Sequence, residues 1–119
     1  CLPFKDNCAQ EVLSVAVIHH FSTLDRRIQA LRELFRILEP GGNILIYVWS
    51  YEQDKFKDFS QDALVPWNEQ KTGLIYKRYY YLFKKGELDD LISQNFSNIV
   101  IKESGEQCHN YYILALKKR

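Results

Sequence analysis

The chain has 119 residues, 46% of them hydrophobic and 26% charged, which is ordinary for one soluble globular domain or part of one. The formal net charge of +1 does not select a class of partner. No apolar run approaches the roughly 18–20 residues that a membrane span requires, so we expect no membrane-spanning segment. Cys1, Cys8 and Cys108 lack the spacing of a disulfide framework or a zinc site. We therefore expect free thiols, a reducing compartment and no metal.

The first half of the chain predicts a strand, a helix and a second strand. Glu11–His19 is an almost continuous apolar and β-branched run, typical of a strand covered by helices on both faces. Ser22 and Asp25 have the spacing of a capping box at a helix start. Pro40–Gly42 predicts the end of that helix, and Ile44–Trp49 predicts the next buried strand. In such a unit, ligands bind where parallel strands leave the sheet at their carboxyl ends.

The second half predicts a long connection, a helix and a hairpin. Residues 50–80 are rich in charged and aromatic side chains, and their length favours an insertion on the substrate side of the domain. Gly86–Ile92 predicts a short amphipathic helix. Ile99–Ser104 and Tyr111–Lys117 predict two antiparallel strands. The predicted fold class is α/β, with parallel strands followed by a final antiparallel hairpin.

Two histidines and two arginines lie near the end of the first predicted strand. His19 and His20 either bond loop backbone or contact a ligand, and on an extended chain at most one of them would face a pocket. Arg26 and Arg27 open the predicted helix and would ordinarily be solvated. Because a helix N-terminus favours anions, cations there also suit a bound carboxylate or phosphate.

Aromatic and polar residues follow the second predicted strand, namely Trp49, Tyr51, Glu52 and Gln53. They form either a packing rim or a wall that holds a flipped-out RNA base by stacking and hydrogen bonds. Residues 71–85 interleave aromatics with Lys and Arg, including Arg78. This pattern predicts either RNA contact through phosphates and stacking or a buried aromatic face.

Several motifs together resemble one family. They are Leu2–Phe4 (LPF), Val17–Thr23 (VIHHFST), the Arg26–Arg27 pair, Pro40–Gly42 (PGG), Leu45–Gln53 (LIYVWSYEQ), Leu64–Asn68 (LVPWN) and Arg78–Leu88. The set resembles the C-terminal half of class I S-adenosylmethionine-dependent methyltransferases, whose sheet is Rossmann-like. More narrowly, it resembles eukaryotic tRNA methyltransferases that esterify 5-carboxymethyluridine at the wobble position. LPF and PGG are common among methyltransferases, whereas the other motifs in combination are specific.

The resemblance implies roles for individual residues. The cofactor would be S-adenosyl-L-methionine, contacted by Leu2, Asp6, Ala16, Val17 and Ile18. The catalytic group would be His19, His20, Arg26 and Arg27, with a cation holding the substrate carboxylate. The substrate-binding residues would be Trp49, Tyr51, Glu52, Gln53 and Arg78. The implied partners are tRNA and, for a full-length parent, a small zinc-binding activator subunit, in the cytoplasm or also the nucleus.

One expected element is missing from the sequence. No Gly-rich turn follows a strand, and no acidic residue stands about 20 positions beyond such a turn to hold a ribose. Since the chain also contains no methionine, we expect residues 1–119 to be a partial methyltransferase domain that is inactive in isolation. The alternatives are a non-catalytic module that binds RNA or protein, and a small-molecule methyltransferase.

Overall fold

The structure is a computed structural model that describes residues 2–119. Its strands are Ala9–Val15 (β1), Leu38–Trp49 (β2), Asp62–Asn68 (β3), Ile75–Tyr81 (β4), Ile99–Gln107 (β5) and Asn110–Lys117 (β6). Its helices are Leu24–Ile37 (α1) and Glu87–Asn95 (α2), with short 3-10 helices at Ile18–His20 and Asp54–Phe56. No helix in this described part is both long and apolar enough to cross a membrane.

The main sheet has four strands in the order β1-β2-β6-β5. Strand β1 runs parallel to β2, and α1 connects them, as the sequence predicts. Strand β6 is antiparallel to both β2 and β5, so the final hairpin is also confirmed. The turn of that hairpin places Cys108 and His109 at positive φ, the conformation that a tight two-residue turn requires. The α/β fold class is therefore confirmed.

The helices pack on one face of this sheet. The core combines alternate residues of the central strands with both helices, chiefly Ile44, Ile46, Val48, Ile113, Leu31, Phe35, Leu88 and Ile92. On the opposite face, Leu13 is 66% exposed and Val15 is 52% exposed. The expectation that helices cover both faces of this strand is therefore wrong for residues 2–119.

The first strand is shorter than predicted. It ends at Val15, because Ala16 adopts a φ of 59° and turns the chain out of the sheet. The chain then forms the 3-10 helix Ile18–His20. The apolar pattern continues past the strand because Ile18 is a fully buried core residue. His19 and His20 consequently do not alternate between faces, and their ring centroids lie only 4.5 Å apart.

The start of α1 differs from the prediction by one residue. Thr23 is the N-cap, and its Oγ1 accepts a hydrogen bond of 3.1 Å from the Arg26 N–H. The predicted capping box of Ser22 and Asp25 is therefore wrong. The extended residue whose side chain reaches the third helical N–H, as a cap requires, is Thr23.

Pro40–Gly42 does not end the helix. Helix α1 ends at Ile37, and β2 begins immediately afterwards. The three residues instead form an irregularity within β2, since Ala9 pairs with Leu38 but Glu11 pairs with Asn43. A Cβ atom on Gly42 would lie 2.7 Å from the Gln10 carbonyl oxygen, so this close strand approach requires glycine.

The predicted insertion of residues 50–80 is largely an antiparallel two-stranded sheet, β3–β4, which extends to Tyr81 and which we call the arm. The base of the arm packs through a second apolar cluster of Phe56, Ala63, Val65, Tyr80 and Leu82. A bridge between Ser50 and Phe83 joins the end of β2 to the chain that follows the arm. The arm is thereby held at the carboxyl edge of β2.

Candidate functional site

A cavity of about 380 Å³ lies between the start of the chain, the turn after β1 and helix α1. Its lining residues are Leu2, Val17, Ile18, Phe21, Arg26, Gln29, Ala30, Glu33 and Leu34. Its size falls within the range of small-molecule sites, and apolar walls with a few polar groups are typical of them. The structure thus brings three of the expected cofactor residues together with one of the two arginines.

Glu33 and Arg36 of α1 bind the start of the chain through hydrogen bonds. Glu33 Oε1 accepts the Leu2 N–H at 2.9 Å, and its Oε2 accepts Arg36 Nε at 2.7 Å. These bonds, Arg36 first and Leu2 second, lower the pKa of Glu33 to about 2. Arg36 also donates to the carbonyl oxygens of Leu2 and Phe4. The wall of the cavity therefore rests on a charged clamp that sequence reasoning missed.

Two expected cofactor residues do not line the cavity. Asp6 pairs with Arg36 at 2.7 Å, which engages its carboxylate in the clamp. Ala16 forms the left-handed turn after β1, and its N–H donates to the Tyr47 carbonyl oxygen at 3.1 Å. Both residues support the segments that form the cavity instead of facing into it.

Arg26 and Arg27 have different surroundings although they are adjacent. Arg26 is exposed and lines the cavity. Arg27 is buried, its Nη1 donates to the Phe21 carbonyl oxygen at 2.9 Å, and its guanidinium carbon lies 3.7 Å from the Tyr81 ring centroid. Successive helical residues point about 100° apart, so one faces the cavity while the other faces the arm. The expectation that an arginine at this helix start is solvated therefore holds for Arg26 and is wrong for Arg27.

A polar network extends from Arg27 to helix α2. The Tyr81 hydroxyl donates to the Glu87 carboxylate, while Gln61 Nε2 donates to Glu87 Oε1 at 2.7 Å and to the Leu82 carbonyl oxygen at 3.1 Å. Burial, followed by the bond to Glu87, raises the pKa of Tyr81 above its usual range. The network joins α1, the arm and α2. No sequence pattern predicts it, because its members are distant along the chain.

His19 is a buried histidine that joins two strand ends. Its Nδ1 accepts the Trp49 N–H at 3.1 Å, so in the neutral ring Nε2 carries the proton. Burial, with a smaller effect from His20, lowers the pKa of His19 to about 3. His19 is fully buried, and its Nε2 has no partner among the described residues. This environment favours a positioning role over direct contact with substrate.

His20 belongs to an aromatic cluster at the carboxyl edge of the sheet. Its Nδ1 lies 3.1 Å from the Tyr79 carbonyl oxygen and donates to it. Its ring centroid is 4.5 Å from that of Tyr80, which in turn stacks on Trp49 at 4.2 Å with only 4° between the planes. The cluster fixes the arm against the turn that follows β1.

The five expected substrate-binding residues do not form one wall. Trp49 and Gln53 line a second cavity of about 200 Å³. Tyr51 bonds the Phe83 carbonyl oxygen through its N–H, which directs the chain toward the arm. Arg78 lies on the arm itself, over Trp67. The set is dispersed because Arg78 lies on β4 of the arm, whereas Trp49 and Gln53 lie at and just after the end of β2.

Glu52 is tied to the final hairpin instead of being free for a ligand. Its Oε2 accepts the Tyr111 hydroxyl at 2.6 Å, and its Oε1 accepts the Lys85 N–H at 3.2 Å. Burial raises the pKa of Glu52, but these hydrogen bonds outweigh it and the pKa is lowered overall. Cys108 and His109 lie nearby, yet residues 2–119 contain no group of three or more His, Cys, Asp or Glu placed to hold a metal ion.

Two known proteins illustrate what the sequence is similar to. The tRNA (carboxymethyluridine(34)-5-O)-methyltransferase of Schizosaccharomyces pombe is 34% identical over 139 aligned residues, covering 98% of this chain and 60% of that protein. The probable tRNA methyltransferase 9B of Mus musculus is 52% identical over 67 residues, covering 56% of this chain and 15% of that protein. This chain therefore corresponds to only part of the length of these relatives.

A family model and a solved structure are also those of methyltransferases. The model described as a methyltransferase domain matches residues 1–46. A crystal structure of a SAM-dependent methyltransferase from Methanosarcina mazei superposes with a TM-score of 0.70 at 17% identity, covering 99% of this chain and 63% of that one. The latter likeness establishes the fold. The chain belongs to the class I S-adenosylmethionine-dependent methyltransferases, and its sequence is similar to that of a tRNA carboxymethyluridine methyltransferase over 98% of its length.

Proposed function

We propose that the protein takes part in methyl transfer from S-adenosylmethionine to the carboxymethyl group of a wobble uridine in tRNA, which forms a methyl ester. The observation that carries the proposal is the shared cavity of Leu2, Val17, Ile18 and Arg26. It combines an apolar wall with one exposed cation at a helix start. The name of the fission-yeast relative supports the choice of substrate.

The lining of the cavity fits part of this cofactor. Leu2 and Val17 offer apolar surface for a flat purine ring, with the buried Ile18 behind that surface, and the clamp of Glu33 and Arg36 keeps Leu2 in position. When bound, S-adenosylmethionine supplies a methyl group carried on a positively charged sulfur. We propose that Leu2 and Val17 hold its adenine end.

Arg26 is the residue that we assign to the substrate carboxylate. A carboxylic acid is ionised at neutral pH, so this substrate needs no general base. The catalytic task is then chiefly orientation and exclusion of water. Arg26 would bind one carboxylate oxygen and leave the other free to attack, and the α1 N-terminus adds a favourable field for the anion.

The histidines have a positioning role in this proposal. His19 is neutral at pH 7 and joins the turn after β1 to the end of β2. His20 joins the same turn to the arm. Both therefore hold the cavity wall without exchanging a proton with substrate, in keeping with a reaction that requires no base.

For a full-length parent, we also propose the partner and location that the family resemblance implies. A small zinc-binding activator subunit would bind the complete protein in the cytoplasm or the nucleus. Co-purification of a tagged full-length protein, followed by zinc analysis of the captured subunit, tests this. Capture of no zinc protein by an active enzyme would contradict it.

A chimera tests the proposed reaction. This chain would replace the matching segment of the fission-yeast relative, and methyl transfer from labelled S-adenosylmethionine to carboxymethyluridine-bearing tRNA would be measured. We expect label that is released by mild alkali, as a methyl ester requires. A folded chimera that binds the cofactor and the tRNA without transferring label would contradict the proposal and favour the non-catalytic alternative.

A further inference from the structure

The arm has two faces with different environments. One face, here called the arm face, carries Ala63, Val65 and Trp67 opposite Tyr80, Arg78 and Tyr76. Near the base of the arm, Ala63, Val65 and Tyr80 are buried in the second apolar cluster. Toward the tip, Trp67 is 42% exposed, Tyr76 is 46% exposed and Arg78 is also exposed. The same face thus changes from core at one end to open aromatic surface at the other.

The open end of the arm face is a set of planar groups. Trp67 and Tyr76 are cross-strand partners, with ring centroids 6.3 Å apart. The guanidinium carbon of Arg78 lies 4.3 Å from the Trp67 ring centroid. Indole, phenol and guanidinium surfaces are the groups on which unpaired bases stack.

The charge of this region favours a polyanion. Residues 62–85 contain Lys71, Lys77, Arg78, Lys84 and Lys85 against Asp62 and Glu69, a net charge of +3 in a chain whose total is +1. Both acids are engaged, because Asp62 accepts the Tyr79 hydroxyl and Glu69 accepts Thr72 Oγ1. The ion pairs among residues 2–119 are made by Arg36, so the arm cations are available to phosphates.

The arm face also leads to the candidate site. Tyr80 lies on this face and stacks on Trp49, and its ring contacts His20 at the turn after β1. The buried base of the arm face therefore contacts the carboxyl edge of the sheet, while its open end carries the exposed aromatic groups. Nucleotides bound at the open end would lie on the same arm that contacts the turn after β1.

We propose that the arm face binds single-stranded RNA, with bases stacked on Trp67, Tyr76 and Arg78 and phosphates near Lys71 in the turn of the arm. This inference rests on the proposed function and deepens it, because it assigns the surface that holds the unpaired nucleotides flanking the reacting base. Exposed planar groups combined with an excess of cations favour RNA over a protein partner.

Fluorescence anisotropy with a labelled RNA stem–loop tests the proposal on the 119-residue chain, with the same RNA closed into a duplex as comparison. We expect the loop to bind more tightly than the duplex. Trp67→Ala and Tyr76→Ala should each weaken loop binding about tenfold, the usual loss for a base-stacking aromatic. Trp67→Phe should retain most of the affinity, because it keeps a ring. Arg78→Lys should lose less loop affinity than Arg78→Ala, because lysine keeps the positive charge although it lacks the planar guanidinium.

The opposite face of the arm supplies matched controls. Leu64 and Ile75 are more exposed than Trp67 but lie on that other face. Leu64→Ala and Ile75→Ala should change loop affinity by no more than about twofold, within the range of surface substitutions. All of these variants should melt as the wild-type chain does. Equal losses on both faces, unchanged affinity in Trp67→Ala and Tyr76→Ala, or no preference for loop over duplex would overturn the proposal.

The same substitutions in the chimera separate the two proposals. Wild-type methyl transfer and RNA affinity in an arm variant would overturn the arm assignment and leave the proposed function standing. Loop binding that depends on the arm face, in a chimera that transfers no methyl group, would overturn the proposed function and leave the arm assignment standing.

Discussion

The imidazole Nδ1 of His19 accepts a hydrogen bond of 3.1 Å from the backbone N–H of Trp49. This bond joins the turn after β1 to the end of β2, the two strand ends between which ligands bind in sheets of this class. It also requires that His19 be unprotonated at Nδ1. The geometry of the candidate site is therefore coupled to the protonation of one buried ring.

Acid should destabilise the protein through His19. The pKa of His19 is 6.5 unfolded and about 3 folded, so the unfolded state binds the proton more tightly. Its stabilising contribution is complete above pH 6.5 and is lost as the pH falls toward 3. Between pH 7 and pH 5 we expect the free energy of unfolding to fall by about 2 kcal/mol from this residue.

Urea titrations at several pH values measure this dependence. His19→Asn is the matched control, because an amide oxygen can accept the Trp49 N–H but does not titrate. Its free energy of unfolding should vary less with pH in this window, whatever its absolute stability. Parallel pH profiles for the two proteins would show that His19 is not responsible.

Arg27→Ala should mainly lower stability, whereas Arg26→Ala should mainly lower activity. Arg27→Ala should lower the free energy of unfolding by about 2–3 kcal/mol, because it removes a buried hydrogen bond and a cation–π contact. Arg26→Ala should alter stability by no more than about 0.5 kcal/mol, since the helix cap uses its backbone N–H. In the chimera, Arg26→Ala should instead lower transition-state stabilisation by about 2–4 kcal/mol.

Single-turnover methylation and urea titration separate these effects. Arg26→Lys should restore part of the rate, since a point charge lacks the planar fork of arginine. A wild-type rate in Arg26→Ala would remove Arg26 from the proposed mechanism without affecting the fold.

Gly42→Ala should be much more harmful than Gly73→Ala. At Gly42 the new Cβ would meet the backbone oxygens of Gln10 and Glu39 at 2.7 and 2.9 Å, so strands β1 and β2 would have to separate. We expect a loss of about 2–4 kcal/mol in the free energy of unfolding. Gly73 has a φ of +69° but no atom within 4 Å, so its substitution should cost about 1 kcal/mol. Equal losses in the two variants would contradict the close approach of β1 to β2 at Gly42.

The exposed edge of β1 should promote self-association. Among the described strands β1 pairs only with β2, and Leu13 and Val15 are open to solvent beside its unpaired edge. Leu13→Lys and Val15→Lys should shift sedimentation profiles of the 119-residue chain toward monomer. Leu24→Lys, on an exposed position of α1, removes similar apolar surface away from the edge and should have less effect. An equal shift from all three would argue against the edge.

Local sequence patterns were sufficient for most of the architecture. The apolar run before Ala16, the helical spacing after Thr23 and the final pair of strands each depend on neighbouring residues, so the order of elements was predictable. Motifs of adjacent residues likewise sufficed for the family. Strand and helix ends were less predictable, because the turn at Ala16 and the bulge at Gly42 depend on the approach of a second strand.

The identity of the site residues required the tertiary structure. Arg26 and Arg27 are equivalent in the sequence, and only the packing of the Tyr81 ring against α1 makes one of them structural. Asp6 was expected to face a ligand, but Arg36 engages it from α1. In each case the partner comes from a distant part of the chain, and competition among side chains for such partners is decided only when the elements pack together.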